Sequence, residues 1–98
     1  MNVVLSSEAL RMLDEIERFI AQDNSQRAIE FIDRLLEKGD SIASFPEIGR
    51  VVPEFSRSDI REILVGNYRI VYRTTPSQIV ILTVFEGHRS MRTEEIDP

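Results

Sequence analysis

The apolar positions along the chain change period twice, and each change marks an element. Val3-Val4-Leu5 opens as a short β-rich run over residues 2–5, and Ser6-Ser7 then offers a hydroxyl to the unpaired amides of a helix start. From Glu8 to Ala21 the apolar residues Ala9, Leu13, Ile16 and Ile20 recur at helical spacing, so one stripe of a first helix faces inward and the helix ends near Gln22. Asp14 and Arg18 support its outer face as an i,i+4 pair. Asp23-Asn24-Ser25-Gln26 supplies a break and a new cap, with Gln26 as a capping-box partner for Asp23. A second stripe through Ala28, Ile29, Ile32, Leu35, Leu36 and Gly39 persists to Ile42-Ala43, where Phe45-Pro46 stops it.

After Ile60 the period shortens to that of strands. The segment 61–89 contains apolar runs rich in Ile, Val and Tyr, parted by Gly66-Asn67 and by Thr74-Thr75-Pro76-Ser77, which predicts an antiparallel meander. Gly-Asn tolerates positive φ at both central positions of a two-residue turn. Alternation then places Tyr68, Ile70 and Tyr72 on one face of the middle strand and Arg69, Val71 and Arg73 on the other. Ile79–Phe85 is apolar on both faces, which suits a covered, internal strand.

The helical hairpin is the natural cover for the apolar sheet face. The predicted fold class is α+β, in the order β-α-α-β-β-β, with the hairpin packed on a small, mainly antiparallel sheet. Residues 46–60, with two prolines, one glycine and no clean period, read as an ordered loop from helix to sheet. A single domain is expected over residues 1–90, and 91–98 read as a flexible tail.

Composition narrows the function. The sequence holds no Cys, which removes disulfides, thiolate metal sites and a cysteine nucleophile, and no metal or other cofactor is expected. The N-terminus lacks the basic region and uninterrupted apolar run of a signal peptide, so a cytoplasmic location with no membrane contact is expected. A net charge of −5 argues against a non-specific nucleic-acid binder, and no direct specific DNA binding by this chain alone is expected. The charge is uneven, because residues 48–92 carry seven arginines against four carboxylates. Arginine in place of lysine favours planar contacts to carboxylate or phosphate, so Arg50, Arg61, Arg69, Arg73 and Arg89 are candidate contacts for a target or partner.

The joint occurrence of FPEIGR-x-x-PE, the GNYRIVYR hairpin and a terminal strand ending FEGHR resembles the RelE/ParE superfamily of type II toxins over roughly residues 3–90. The FPEIGR-x-x-PE loop and the two well-formed helices look most like the ParE branch. That resemblance implies a toxin acting on DNA gyrase by binding, without catalysis, and neutralised by a cognate antitoxin encoded beside it. The other branch consists of ribosome-dependent mRNA endoribonucleases, and a family member without toxic activity is the third reading. Ribonucleases most like RelE use sheet lysines and a C-terminal tyrosine, whereas this chain has no Lys after Lys38 and no Tyr after Tyr72.

A further subset of those ribonucleases uses a Glu, an Arg and a His, roles that carry over to Glu54, Arg69 and His88. Attack by a 2′-hydroxyl needs a base, a cation for the developing phosphorane charge and an acid for the leaving oxygen, and these three supply those types. Each has a structural alternative. Arg69 can pair with Glu62 across two strands, Glu54 can pair with Arg50 or Arg57, and His88 can be a solvated turn residue. Tyr68 and Tyr72 read as core with their hydroxyls at the edge. Met12, Phe19 and Phe31 lie at the margins of the helical stripes. They either meet between the helices or leave an apolar groove for an amphipathic antitoxin helix.

Overall fold

The computed structural model describes residues 2–87, so His88, Arg89 and the tail lie outside the described residues. The elements run β1 (Asn2–Leu5), α1 (Ser7–Ala21), α2 (Ser25–Ser41), β2 (Arg50–Val51), β3 (Ile60–Val65), β4 (Tyr68–Thr74) and β5 (Gln78–Glu86). The expected order is therefore extended by β2, a two-residue strand inside the loop. Sequence period cannot reveal a strand of that length.

The strands form one five-stranded sheet in the order β1-β5-β4-β3-β2. All pairings are antiparallel except β1 with β5, which run parallel, and the helical hairpin carries the chain from β1 at one edge of the sheet to β2 at the other. Ser6 caps α1 as expected, its side chain accepting from the Ala9 amide. The α2 cap is Asn24, which accepts from the Arg27 amide, in place of the Asp23–Gln26 box.

The β3–β4 turn closes on the pair Val65↔Tyr68, and only Gly66 has positive φ, at 59°. Positive φ at the first central residue alone marks a turn of the II′ kind, so Asn67 does not share the left-handed geometry that the dipeptide permits.

One core cluster lies between the hairpin and the sheet, built on Leu13, Ile16, Leu35, Ile63, Ile70, Tyr72, Ile81 and Val84. Ala28, Leu35 and Gly39 of α2 are buried, but Ile29 and Leu36 stand at the exposed edge of their stripe. A second cluster occupies the opposite sheet face, where Val52 of the 46–59 loop covers Ile60, Val71, Leu82 and Phe85, with Met12 and Phe55 at its margin. This second cluster is why β5 is apolar on both faces.

The two faces of β5 are not a simple alternation. Val71 pairs with Thr83 and Tyr72 with Ile81, which leaves Leu82 as an extra residue in a bulge. The bulge shifts the alternation so that Ile79, Ile81 and Val84 all enter the first cluster. The Ser6 hydroxyl donates to the Leu82 carbonyl at 2.8 Å, tying the start of α1 to the bulge.

Candidate functional site

Of the arginines singled out in the sequence, Arg69 is buried, Arg61 and Arg73 are half-buried and Arg50 is exposed. Arg69 leaves β4 on the face opposite the helices and is only 5% exposed. Its guanidinium lies 5.1 Å from the Phe85 ring centroid, and its Nε donates to Glu62 Oε1 at 2.6 Å. Its Nη1 and Nη2 reach the Glu54 carboxylate at 3.4 and 3.3 Å. Glu62, fully buried on β3, also accepts from Arg50 Nε at 2.5 Å. Glu54, Arg69, Glu62 and Arg50 are thus one chain of alternating charge. Burial alone lowers the Arg69 pKa, but the hydrogen bonds to Glu54 and Glu62 outweigh it and hold the group above its ordinary value.

The strand pattern explains why these residues converge. Arg69 and Glu62 point to the same side of adjacent strands, and β2 brings Arg50 opposite Glu62 in register. Tyr72 holds β2 in place from the other side of the sheet: its hydroxyl donates to the Pro46 carbonyl at 2.8 Å and accepts from the Gly49 amide at 2.9 Å. A Cβ on Gly49 would lie 2.7 Å from both the Glu62 carbonyl oxygen and the Tyr72 hydroxyl, so only glycine permits this approach. Burial raises the Tyr72 pKa, and the bond from the Gly49 amide partly offsets that rise. The hydroxyl therefore stays protonated and able to donate.

Glu54 and Arg69, two of the three residues grouped by the resemblance, meet, and Arg57 pairs with Asp59 at 2.9 Å. Glu62 was legible only as an alternative partner for Arg69, yet it is the centre of the network. The signal was its place on the same face of a paired strand. Arg61 donates to the Gly49 and Ser58 carbonyls, and Arg73 lies near enough to Asp59 to lower its pKa slightly, after the larger effect of Arg57.

The residues at the margins of the helical stripes are divided among three places. Met12 packs at the edge of the second cluster, and Phe31 packs against the first cluster with its ring 5.3 Å from that of Tyr68. Phe19 is 65% exposed. No group of His, Cys, Asp and Glu among the described residues is arranged to hold a metal ion. No described helix is long and apolar enough to cross a membrane.

A helical hairpin on a five-stranded mixed sheet, with a tethered loop over the opposite face, defines a small α+β domain. The chain matches the family model described as ParE toxin of type II toxin-antitoxin system, parDE, over residues 3–91, and it belongs to that family. It is 35% identical over 83 residues to a Sinorhizobium fredii (strain NBRC 101917 / NGR234) protein named "Putative toxin Y4kP", covering 83% of this chain and 82% of that one. Its fold is similar to a chain of the solved chromosomal ParDE TA system from P. aeruginosa, with a TM-score of 0.73 at 16% identity, covering 88% of this chain and 95% of that chain. The protein is therefore a ParE-type toxin of a toxin–antitoxin system, a context that supplies a cognate antitoxin as partner.

Proposed function

We propose that this toxin acts in the cytoplasm by binding DNA gyrase, without catalysing a reaction itself, and that a small antitoxin encoded beside it neutralises it. The observation that carries the non-catalytic reading is the state of Arg69. A guanidinium that is buried and already bonded to two carboxylates is poorly placed to meet the developing charge of a phosphorane. The Glu54 carboxylate accepts from the same guanidinium, which makes it a structural acceptor in place of a general base. Family membership supports the antitoxin, and ParE likeness supports gyrase as the target.

Exposed Arg50 and Phe19 are the first candidates for contact with either partner, together with Arg61 and Arg73 on the sheet. Met12 and Phe31, being half buried, contribute their outer edges to an antitoxin helix lying along the hairpin. The test is induction in a sensitive host, followed by plasmid topology, DNA-break and mRNA-integrity measurements. Altered topology or DNA breaks with intact mRNA are expected. Codon-position mRNA cuts with unaffected DNA overturn the proposal in favour of ribonuclease action, and slower cutting by Arg69→Ala and His88→Ala then assigns the residues.

A further inference from the structure

The chain leaves α2 through a turn that shows large apolar side chains to solvent on a fixed backbone. Residues 45–48 form a β-turn, closed by the bond from the Ile48 amide to the Phe45 carbonyl at 2.9 Å, with Pro46 at the position its fixed φ favours. Phe45 is 68% exposed and Ile48 53% exposed, and Ser44 and Glu47 beside them are exposed too, so the turn projects from the domain.

The turn has little freedom. The buried Tyr72 hydroxyl bonds both sides of it, donating to the Pro46 carbonyl and accepting from the Gly49 amide. The Gly49 carbonyl accepts from Arg61 Nη1 at 2.9 Å, and the Phe45 amide donates to the Ile42 carbonyl at 3.1 Å. The backbone is therefore tied at the start of the turn, within it and after it. An apolar side chain displayed on a backbone already held in place costs little ordering when a partner buries it, which is the property of an anchor.

The surroundings have the anatomy of a contact surface, an apolar centre with a polar rim. Ile48 and the exposed Leu64 line one depression, with Lys38 and Arg50 beside them. Local charge is mixed, because Glu47 sits on the turn itself and Glu62 lies beneath Arg50. Arg50 is held by its Nε bond to the buried Glu62, and its two Nη groups bond to nothing among the described residues. Its position is set while two parallel donors stay available for a carboxylate.

Shape selects the kind of partner. A projecting turn needs a concave surface, which a lone helix or extended segment does not offer and a large folded protein does. We infer that the 45–48 turn inserts Phe45 and Ile48 into an apolar pocket of the toxin's protein target, with Leu64 at the rim of the contact and a target carboxylate meeting the Arg50 Nη groups. The target's identity rests on the gyrase reading above; the place and chemistry of contact rest on the turn.

The test titrates purified gyrase with the full chain and compares the parent with Phe45→Ser/Ile48→Ser, Arg50→Gln and a control, Leu10→Ser, whose side chain is exposed on α1. Thermal midpoint and affinity for the co-expressed antitoxin report the fold of each variant. The double variant is expected to bind gyrase about thirtyfold more weakly, as truncation of an interface anchor does. Arg50→Gln should weaken binding less and reduce its salt dependence, and Leu10→Ser should match the parent. A folded double variant that binds gyrase as the parent does overturns the inserted turn and leaves the gyrase reading standing. A parent with no affinity for gyrase overturns both. Loss of antitoxin affinity with gyrase binding intact assigns the turn to the antitoxin, and a parent dimer that the double variant dissolves assigns it to a second copy; either result overturns the inference. Should the two serines lower the thermal midpoint, Phe45→Lys, at the more exposed of the two positions, carries the same expectation and the same refutation.

Discussion

Glu62 and Arg69 are bonded diagonally across two strands: Glu62 stands opposite Val71, and Arg69 opposite Leu64, yet Arg69 Nε reaches Glu62 Oε1 at 2.6 Å. Removing one member of a buried pair strands a charge in low dielectric, which costs about 3–5 kcal/mol. Each member here keeps a second partner, Arg50 for Glu62 and Glu54 for Arg69, so Arg69→Ala and Glu62→Ala should each lose about 3 kcal/mol. The double replacement Glu62→Leu/Arg69→Met should lose less than the sum. Denaturant unfolding of the three variants checks this, and single losses below about 1 kcal/mol would mean the network is solvated in solution.

Tyr72→Phe removes the hydroxyl that bonds Pro46 and Gly49 while preserving the ring in the core. The Gly49 amide is left without its acceptor, at an expected cost of about 2 kcal/mol. Faster exchange at Gly49 and a lower thermal midpoint are the readouts; unchanged exchange would show that β2 is held by Arg50 and Arg61 instead.

Thr83 should respond in the opposite direction. Its hydroxyl is fully buried on β5 and has no hydrogen-bond partner among the described residues. Thr83→Val keeps the shape and removes the unmet polar group, so a gain of about 1 kcal/mol is expected from thermal or denaturant unfolding. A loss of stability would show that the hydroxyl is hydrogen-bonded in solution.

Gly66→Ala places a Cβ at φ 59°, with ordinary space around it, since the nearest side-chain atom of Phe31 is 3.7 Å away. Backbone strain alone is then the cost, about 1–2 kcal/mol, and Gly66→Asn should cost less because asparagine tolerates left-handed geometry. Equal losses for the two variants would point to crowding against Phe31.

Much of the fold follows from neighbours in the chain. The helical stripes, the Ser6 cap and the Gly66-Asn67 hairpin depend on period and turn chemistry, and each is present. The apolar character of β5 on both faces was equally plain, but its cause, a second cluster beneath the 46–59 loop, was not. The loop's own β2 is too short for any period, and it forms because Tyr72 and Gly49 meet 23 positions apart in the sequence.

The same division runs through the candidate sites. Residue types and alternation alone put Arg69 on a face away from the helices and marked Glu62 as its possible partner, while Glu54 was grouped with it only through the family resemblance. Only tertiary structure decided that both carboxylates converge on that one guanidinium, because the closing distances depend on strand register and on where the loop lands.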